Sequence, residues 1–157
     1  MNQTSGNSTA SDREPVYTLG IASKLSEISV HSIRQYIDNG LIIPHTTTTK
    51  RHLFSQVDIN RLKCIKKQLS TMGLNFAGIK ALYSLIPCWS IRPCSVESRE
   101  KCEAYYSVTV PCWEASDKGK DCKNEDCRYC NVYRYPEKCT DIKSVLKKIS
   151  ASQVISF

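Results

Sequence analysis

The stretch Val30-His31-Ser32-Ile33-Arg34-Gln35-Tyr36-Ile37-Asp38-Asn39-Gly40-Leu41-Ile42-Ile43-Pro44 reads as one amphipathic helix followed by its exit. Val30, Ile33 and Ile37 recur at three- and four-residue spacing and so share an inward face. Gly40 is a natural C-terminal cap, because glycine enters the left-handed conformation at little cost. Upstream, Thr18 can cap a helix running through Ser26, with Leu19, Ala22 and Leu25 at three-residue spacing, and the turn Glu27-Ile28-Ser29 joins the two. Two short helices linked by a tight turn predict a helix-turn-helix whose second helix enters the major groove of DNA.

Beyond Gly40, Leu41-Ile42-Ile43-Pro44 and His52-Leu53-Phe54 flank the polar stretch Thr46 to Arg51, which ends in Lys50-Arg51. This predicts a β-hairpin wing lying along phosphates. Ser55 and Asp58 form a capping box for a helix from Gln56 to Met72, with Val57, Ile59, Leu62, Ile65 and Leu69 apolar and Gly73 as its stop. Another helix follows from about Phe76 to Leu85, with Ile79, Leu82 and Leu85 on one side. Cys64, inside an apolar helical stripe, is expected to be a buried small residue.

In order along the chain, Tyr17-Thr18-Leu19, Ser32-Ile33-Arg34-Gln35-Tyr36, Asn39 to Pro44, Arg51-His52-Leu53-Phe54-Ser55 and Asp58-Ile59-Asn60-Arg61-Leu62 resemble the MerR transcription regulators. Gly73-Leu74-Asn75-Phe76-Ala77-Gly78-Ile79-Lys80 is most similar to their heat-shock repressor branch. The resemblance implies a winged helix-turn-helix that binds double-stranded operator DNA as a homodimer, with RNA polymerase at the promoter as a further candidate partner. His31, Ser32, Arg34, Gln35 and Tyr36 are the candidate base and phosphate contacts, and Lys50 and Arg51 the wing contacts. Glu27 stands where the family usually has glycine, and Gln35 where it usually has a second aromatic. Family members dimerise through a long helix after this region, whereas here cysteines begin at Cys88.

Formal net charge is +7 over 157 residues, and it is uneven. Residues 1–87 carry ten Lys or Arg against five acids, and residues 88–157 twelve against ten. The basic face therefore belongs to the first part, where nucleic acid is expected. Met1 to Pro15 is polar and lacks the apolar core of a signal peptide, and no apolar run approaches the roughly 20 residues that span a bilayer. A cytoplasmic protein with no membrane partner is expected.

One of the nine cysteines precedes Pro87 and eight follow it. A segment of about fifty residues with so few aliphatics normally needs disulfides or metal to hold a fold, and a reducing cytoplasm favours a metal or redox site. The cysteines form two imperfect copies. The first is Cys88-Trp89, Cys94 and Cys102, closing on Ala104-Tyr105; the second is Cys112-Trp113, Cys122, Cys127 and Cys130, closing on Val132-Tyr133; Pro precedes the Cys-Trp pair in both. This pattern is similar to the paired Cys-Trp modules of many bacterial signalling proteins, which implies metal binding.

With Cys139, these eight cysteines are the candidate metal ligands. Structural zinc usually shows two short Cys-x2-4-Cys pairs, of which Cys127-Arg128-Tyr129-Cys130 is one. The run Cys122-x4-Cys127-x2-Cys130 instead matches three ligands of a plant-type ferredoxin cluster. An iron–sulfur cluster is favoured over zinc, with redox thiols or disulfides the remaining alternative. No βαβ pattern surrounds the Cys-x2-Cys, and no paired carboxylates, phosphate loop or Ser-His-Asp series appears, so an enzyme is not expected.

The expected fold is mainly α: a disordered tail over 1–15, a MerR-type winged helix-turn-helix over 16–86, a small cysteine-rich, metal-stabilised irregular module over 87–139, and a short C-terminal helix and tail over 140–157, the helix running from Asp141 to Ser150. The expected function is sequence-specific DNA-binding regulation of transcription with redox or metal sensing by the cysteines. The alternative is a DNA-binding protein whose structural zinc module serves protein–protein contact without sensing.

Overall fold

The computed structural model describes residues 10–135 and 142–151, the side chains of Ala10 and Val145 excepted. The chain divides into two units, Met1–Lys66 and Lys67–Phe157. The boundary expected at 86/87 thus falls inside the second unit.

In the first unit, caps set the helices. α1 (Leu19–Ser26) starts at Thr18, whose hydroxyl accepts from the Ile21 N–H at 3.4 Å. α2 (Val30–Asp38) starts at Ser29, whose Oγ accepts from the Ser32 N–H at 3.1 Å. It ends as expected at Gly40, with φ 68°: the Gly40 N–H donates to Ile37 and the Leu41 N–H to Tyr36, both at 2.9 Å, the paired bonds of a Schellman stop. α3 (Gln56–Ser70) opens on the Ser55–Asp58 capping box: the Ser55 N–H donates to Asp58 Oδ2 at 2.8 Å, and the Asp58 N–H to Ser55 Oγ at 3.2 Å.

The wing strands are β2 (His45–Thr46) and β3 (His52–Phe54), antiparallel as expected. A third strand, β1 (Tyr17–Thr18), pairs with β3 on its other edge, placing Tyr17 opposite Phe54 in the order β1-β3-β2. Two residues carry no period, so the sequence could not announce it. Ile33, Leu41, Phe54, Leu62 and Ile65 are fully buried at the centre of the unit.

Two inward faces and one stretch of the tail differ from expectation. On α1 the buried pair is Ala22 and Ser26, with Leu25 exposed; the Ser26 hydroxyl donates to the Ala22 carbonyl at 2.6 Å, which makes its burial tolerable. On α2, Ile33 shares the inward face with Tyr36. Ala10–Arg13, inside the tail expected to be disordered, form a single 3-10 turn, which needs no apolar stripe.

Among its described residues the second unit contains α4 (Phe76–Ser84), four short α-helical segments, one 3-10 turn (Cys127–Tyr129), and α9 (Ile142–Ala151). Asn75 caps α4 by accepting the Gly78 N–H at 2.8 Å. Its buried residues are Ile79 and Tyr83, while Leu85 is exposed. Tyr83 faces inward because its ring meets Trp113 at 5.6 Å between centroids. Lys80 pairs with Glu114 at 2.7 Å, so α4 is held by the cysteine-rich segment. The expected start of α9 at Thr140 and Asp141 lies outside the described residues. Among the described residues, no helix is long and apolar enough to cross a membrane.

Candidate nucleic-acid interface and cysteine cavity

In the first unit, α2 presents His31, Arg34 and Gln35 to solvent, with Ser32 half-buried and its hydroxyl 2.9 Å from that of Ser29. Tyr36 departs from this set. It is 5% exposed, and burial raises its phenol pKa, so it belongs to the core rather than to a DNA-facing surface. In a nine-residue helix, the step from 33 to 36 keeps a side chain on the inward stripe, which an aromatic fills well.

The wing turn is tied by Thr47. The Lys50 N–H donates to the Thr47 carbonyl at 2.9 Å, and the Arg51 N–H to its hydroxyl at 3.1 Å. Lys50 takes φ 59°, a left-handed backbone that turns the loop tip. Arg34, Lys50 and Arg51 line one open groove together with Thr18, Leu19 and Gly20 at the start of α1. The groove joins three cations to the positive end of a helix dipole, which suits it to an anion. The contribution of α1 was not legible in the sequence, although its missing acidic first turn was a usable signal.

Beneath this surface Arg61, 1% exposed on α3, donates from Nε to the Leu41 carbonyl at 2.7 Å. It clamps the chain just after the α2 exit and so sets how α2 is presented. In the sequence Arg61 stands out only as one residue of the Asp58-Ile59-Asn60-Arg61-Leu62 stretch.

In the second unit, Cys88, Cys94, Cys102, Cys112, Cys122, Cys127 and Cys130 are free, half-buried thiols that line one cavity of about 50 Å³. Cys139 lies outside the described residues, and Cys64, buried on α3, is not among the free thiols. Among the described residues, no three Cys, His, Asp or Glu side chains already stand at metal-binding spacing. The sulfurs ring a space rather than converge on a point.

The elements around the cavity repeat. Cys88 and Trp89 lie on α5 (Cys88–Ile91), and Tyr105 lies on α7 (Glu103–Tyr106); the Trp89 and Tyr105 rings meet edge-on at 5.2 Å. Trp113 meets Tyr133 of α8 (Asn131–Arg134) edge-on at the same 5.2 Å. Both copies therefore close through the same Trp–Tyr contact, which the cysteine spacing alone does not specify. They also interlock. At the head of α6 (Val96–Glu100), Ser95 donates from N and Oγ to Asp121 at 2.9 and 3.2 Å, and Glu103 accepts the Ser116 N–H at 2.7 Å. Gly119 passes so near Ser98 that a Cβ there would overlap its hydroxyl and carbonyl.

Burial pushes the Cys88 thiol up to about 11, helped by the facing sulfurs of Cys102, Cys94 and Cys122. Burial also raises the Cys112 and Cys122 thiols. These three are neutral at physiological pH until something exchanges their protons. Cations stand beside them. Lys118 Nζ lies 3.3 Å from Cys127 Sγ, Arg99 reaches the Cys94 carbonyl at 3.0 Å, and Arg92 reaches the Asp121 carbonyl and Glu125, each at 3.3 Å. Interaction with Cys94 raises the Arg99 pKa. An all-sulfur donor set with adjacent cations fits a thiophilic metal in chemistry and in charge.

A family model described as MerR HTH family regulatory protein matches residues 17–85. Proteins named HTH-type transcriptional regulator GlnR, from Bacillus anthracis and Bacillus cereus, are each 41% identical over 66 residues, covering 42% of this chain and 50% of theirs. The putative heat shock protein HspR of Streptomyces coelicolor is 34% identical over 71 residues, covering 45% of this chain and 47% of its own. The chain spans about half the length of the curated relatives it matches. Residues 17–85 carry a MerR-type helix-turn-helix, similar to both GlnR and HspR.

Proposed function

We propose that this protein is a sequence-specific DNA-binding transcription regulator, not an enzyme, and that its cysteine module responds to metal or redox state. The convergence of Arg34, Lys50 and Arg51 on one groove beside the α1 N-terminus carries the first half of this reading. With α2 in the major groove, Arg34 reaches a guanine edge or a phosphate, and His31 and Gln35 lie beside it. Lys50, Arg51 and the α1 amides hold the flanking backbone. A homodimer reads a palindromic operator in this way, its half-sites about one helical turn apart. RNA polymerase at the promoter is a further candidate partner.

The ring of seven thiols carries the second half. The two candidate groups differ in what they supply when bound: a thiolate-held zinc adds folding energy, and an iron–sulfur cluster also changes charge on oxidation. Trp89, Tyr105 and Tyr106, exposed and packed edge-on, favour a second reading in which a metal-stabilised module presents an aromatic surface to a partner protein. Operator affinity that is the same with and without metal selects that reading.

The DNA assignment is tested by enriching random duplexes on the full chain and titrating the winners. We expect an enriched sequence bound at least about a thousandfold tighter than a scrambled one. Arg34→Ala should cost about 1–3 kcal/mol and relax preference at one base pair, and Lys50→Ala should weaken all duplexes alike and lower the salt slope by about one. Equal affinity for every duplex sinks the assignment.

A further inference from the structure

The two Cys-Trp copies suggest two independent metal sites, one each, but the first copy holds three cysteines and a closed tetrahedral thiolate site needs four. Its missing ligand has a source in the second copy. All three line the same cavity as the four cysteines of the second copy. We propose that the seven free thiols form one shared binuclear thiolate centre, three ligands from the first copy and four from the second, taking two divalent thiophilic ions of the zinc type. This inference rests on the reading that the cysteine module binds metal.

Three observations carry it. Two four-coordinate ions offer about eight positions, which seven thiolates fill when one sulfur bridges. A cavity of about 50 Å³ suits a compact pair of ions and excludes a large organic cofactor such as haem. Its lining also has the sign such a centre needs. Arg92, Arg99 and Lys118 border it against one carboxylate, Glu125, which already pairs with Arg92 at 3.3 Å.

Interlocking of the copies through Ser95–Asp121 and Glu103–Ser116 fixes the two halves of the ligand set to each other, as a shared centre requires. Because the sulfurs ring the space, loading rotates cysteine side chains inward. Each ligating thiol passes one proton to solvent as its sulfur–metal bond forms, and no atom changes oxidation state.

The test uses the full chain produced with zinc and purified without oxygen, read by native mass spectrometry and by X-ray absorption at the zinc edge. We expect two zinc ions per chain, a sulfur shell at about 2.3 Å and a zinc–zinc scattering path. Cys88→Ser and Cys127→Ser, one in each copy, should each weaken retention of both ions against a chelator by at least tenfold, whereas Cys139→Ser should keep both. Two ions without a metal–metal path, each variant losing one, overturn the shared centre and leave the metal-binding reading standing. One ion, iron with sulfide, or loss of an ion in Cys139→Ser overturns it likewise. A chain that takes up no metal overturns that underlying reading as well. The wild-type spectrum decides even where a variant fails to fold.

Discussion

At Glu27 the backbone takes φ 57°, where a Cβ crowds the following carbonyl and glycine does not. Glu27→Gly should therefore stabilise the first unit by about 0.5–1 kcal/mol, read as a rise of a few degrees in the thermal midpoint. The bond from Lys66 Nζ to the Glu27 carbonyl, 2.8 Å, is to the main chain and survives the change. An unchanged or lower midpoint would refute the strain argument. Lys50 has the same conformation at φ 59°, but its charge borders the anion-suited groove, so glycine there would relieve strain at the expense of affinity. Single residues of this kind were partly legible. Thr18, Gly40 and the Ser55–Asp58 box follow from local backbone geometry and stand where the sequence put them. Tyr36 and Leu25 do not, because a helix of two turns leaves the phase of its inward face open until its neighbours are known.

Among the elements, α3 links presentation of α2 to the core. Arg61 is buried at 1% exposure and donates to the Leu41 carbonyl, one residue beyond the Gly40 stop of α2. Replacing it by methionine keeps much of the apolar stem but removes the charged donor to a buried carbonyl. Arg61→Met should cost about 2–3 kcal/mol in urea denaturation with an unchanged slope. A loss below about 0.5 kcal/mol would mean that water or another donor satisfies Leu41. The periodic helices α2, α3 and α4 were legible as elements, since 3.6-residue patterns survive without tertiary knowledge. β1 was not, because its two residues gain strand character only from pairing with β3. The convergence of two cysteine copies on one cavity was equally hidden: spacing reports ligand types along the chain, whereas the meeting of copies depends on contacts such as Ser95 with Asp121, 26 residues apart.

For the whole molecule, the contrast between the units decides how it should respond to metal removal. The first unit buries a continuous aliphatic set that includes Ile33, Leu41, Leu62 and Ile65, and needs nothing further. Apart from α4, the second unit relies on a few aromatic and small side chains, Ala104, Trp113, Val132 and Tyr133 among them, around a cavity edged by thiols. A core so small is marginal unless cross-linked, and a metal that binds the folded form alone adds its binding free energy to stability. Both tryptophans, Trp89 and Trp113, lie in the second unit, and Trp113 is packed against Tyr83 and Tyr133. Tryptophan fluorescence therefore follows that unit, while far-ultraviolet circular dichroism follows the helices of both. Where the thiols hold metal as proposed, stripping it with a chelator should shift the fluorescence transition to much lower denaturant, with a helical transition from α1, α2 and α3 persisting near its original midpoint. Superimposable curves before and after chelation, from protein shown to have lost its metal, would mean that the aromatic packing alone holds the cysteine region.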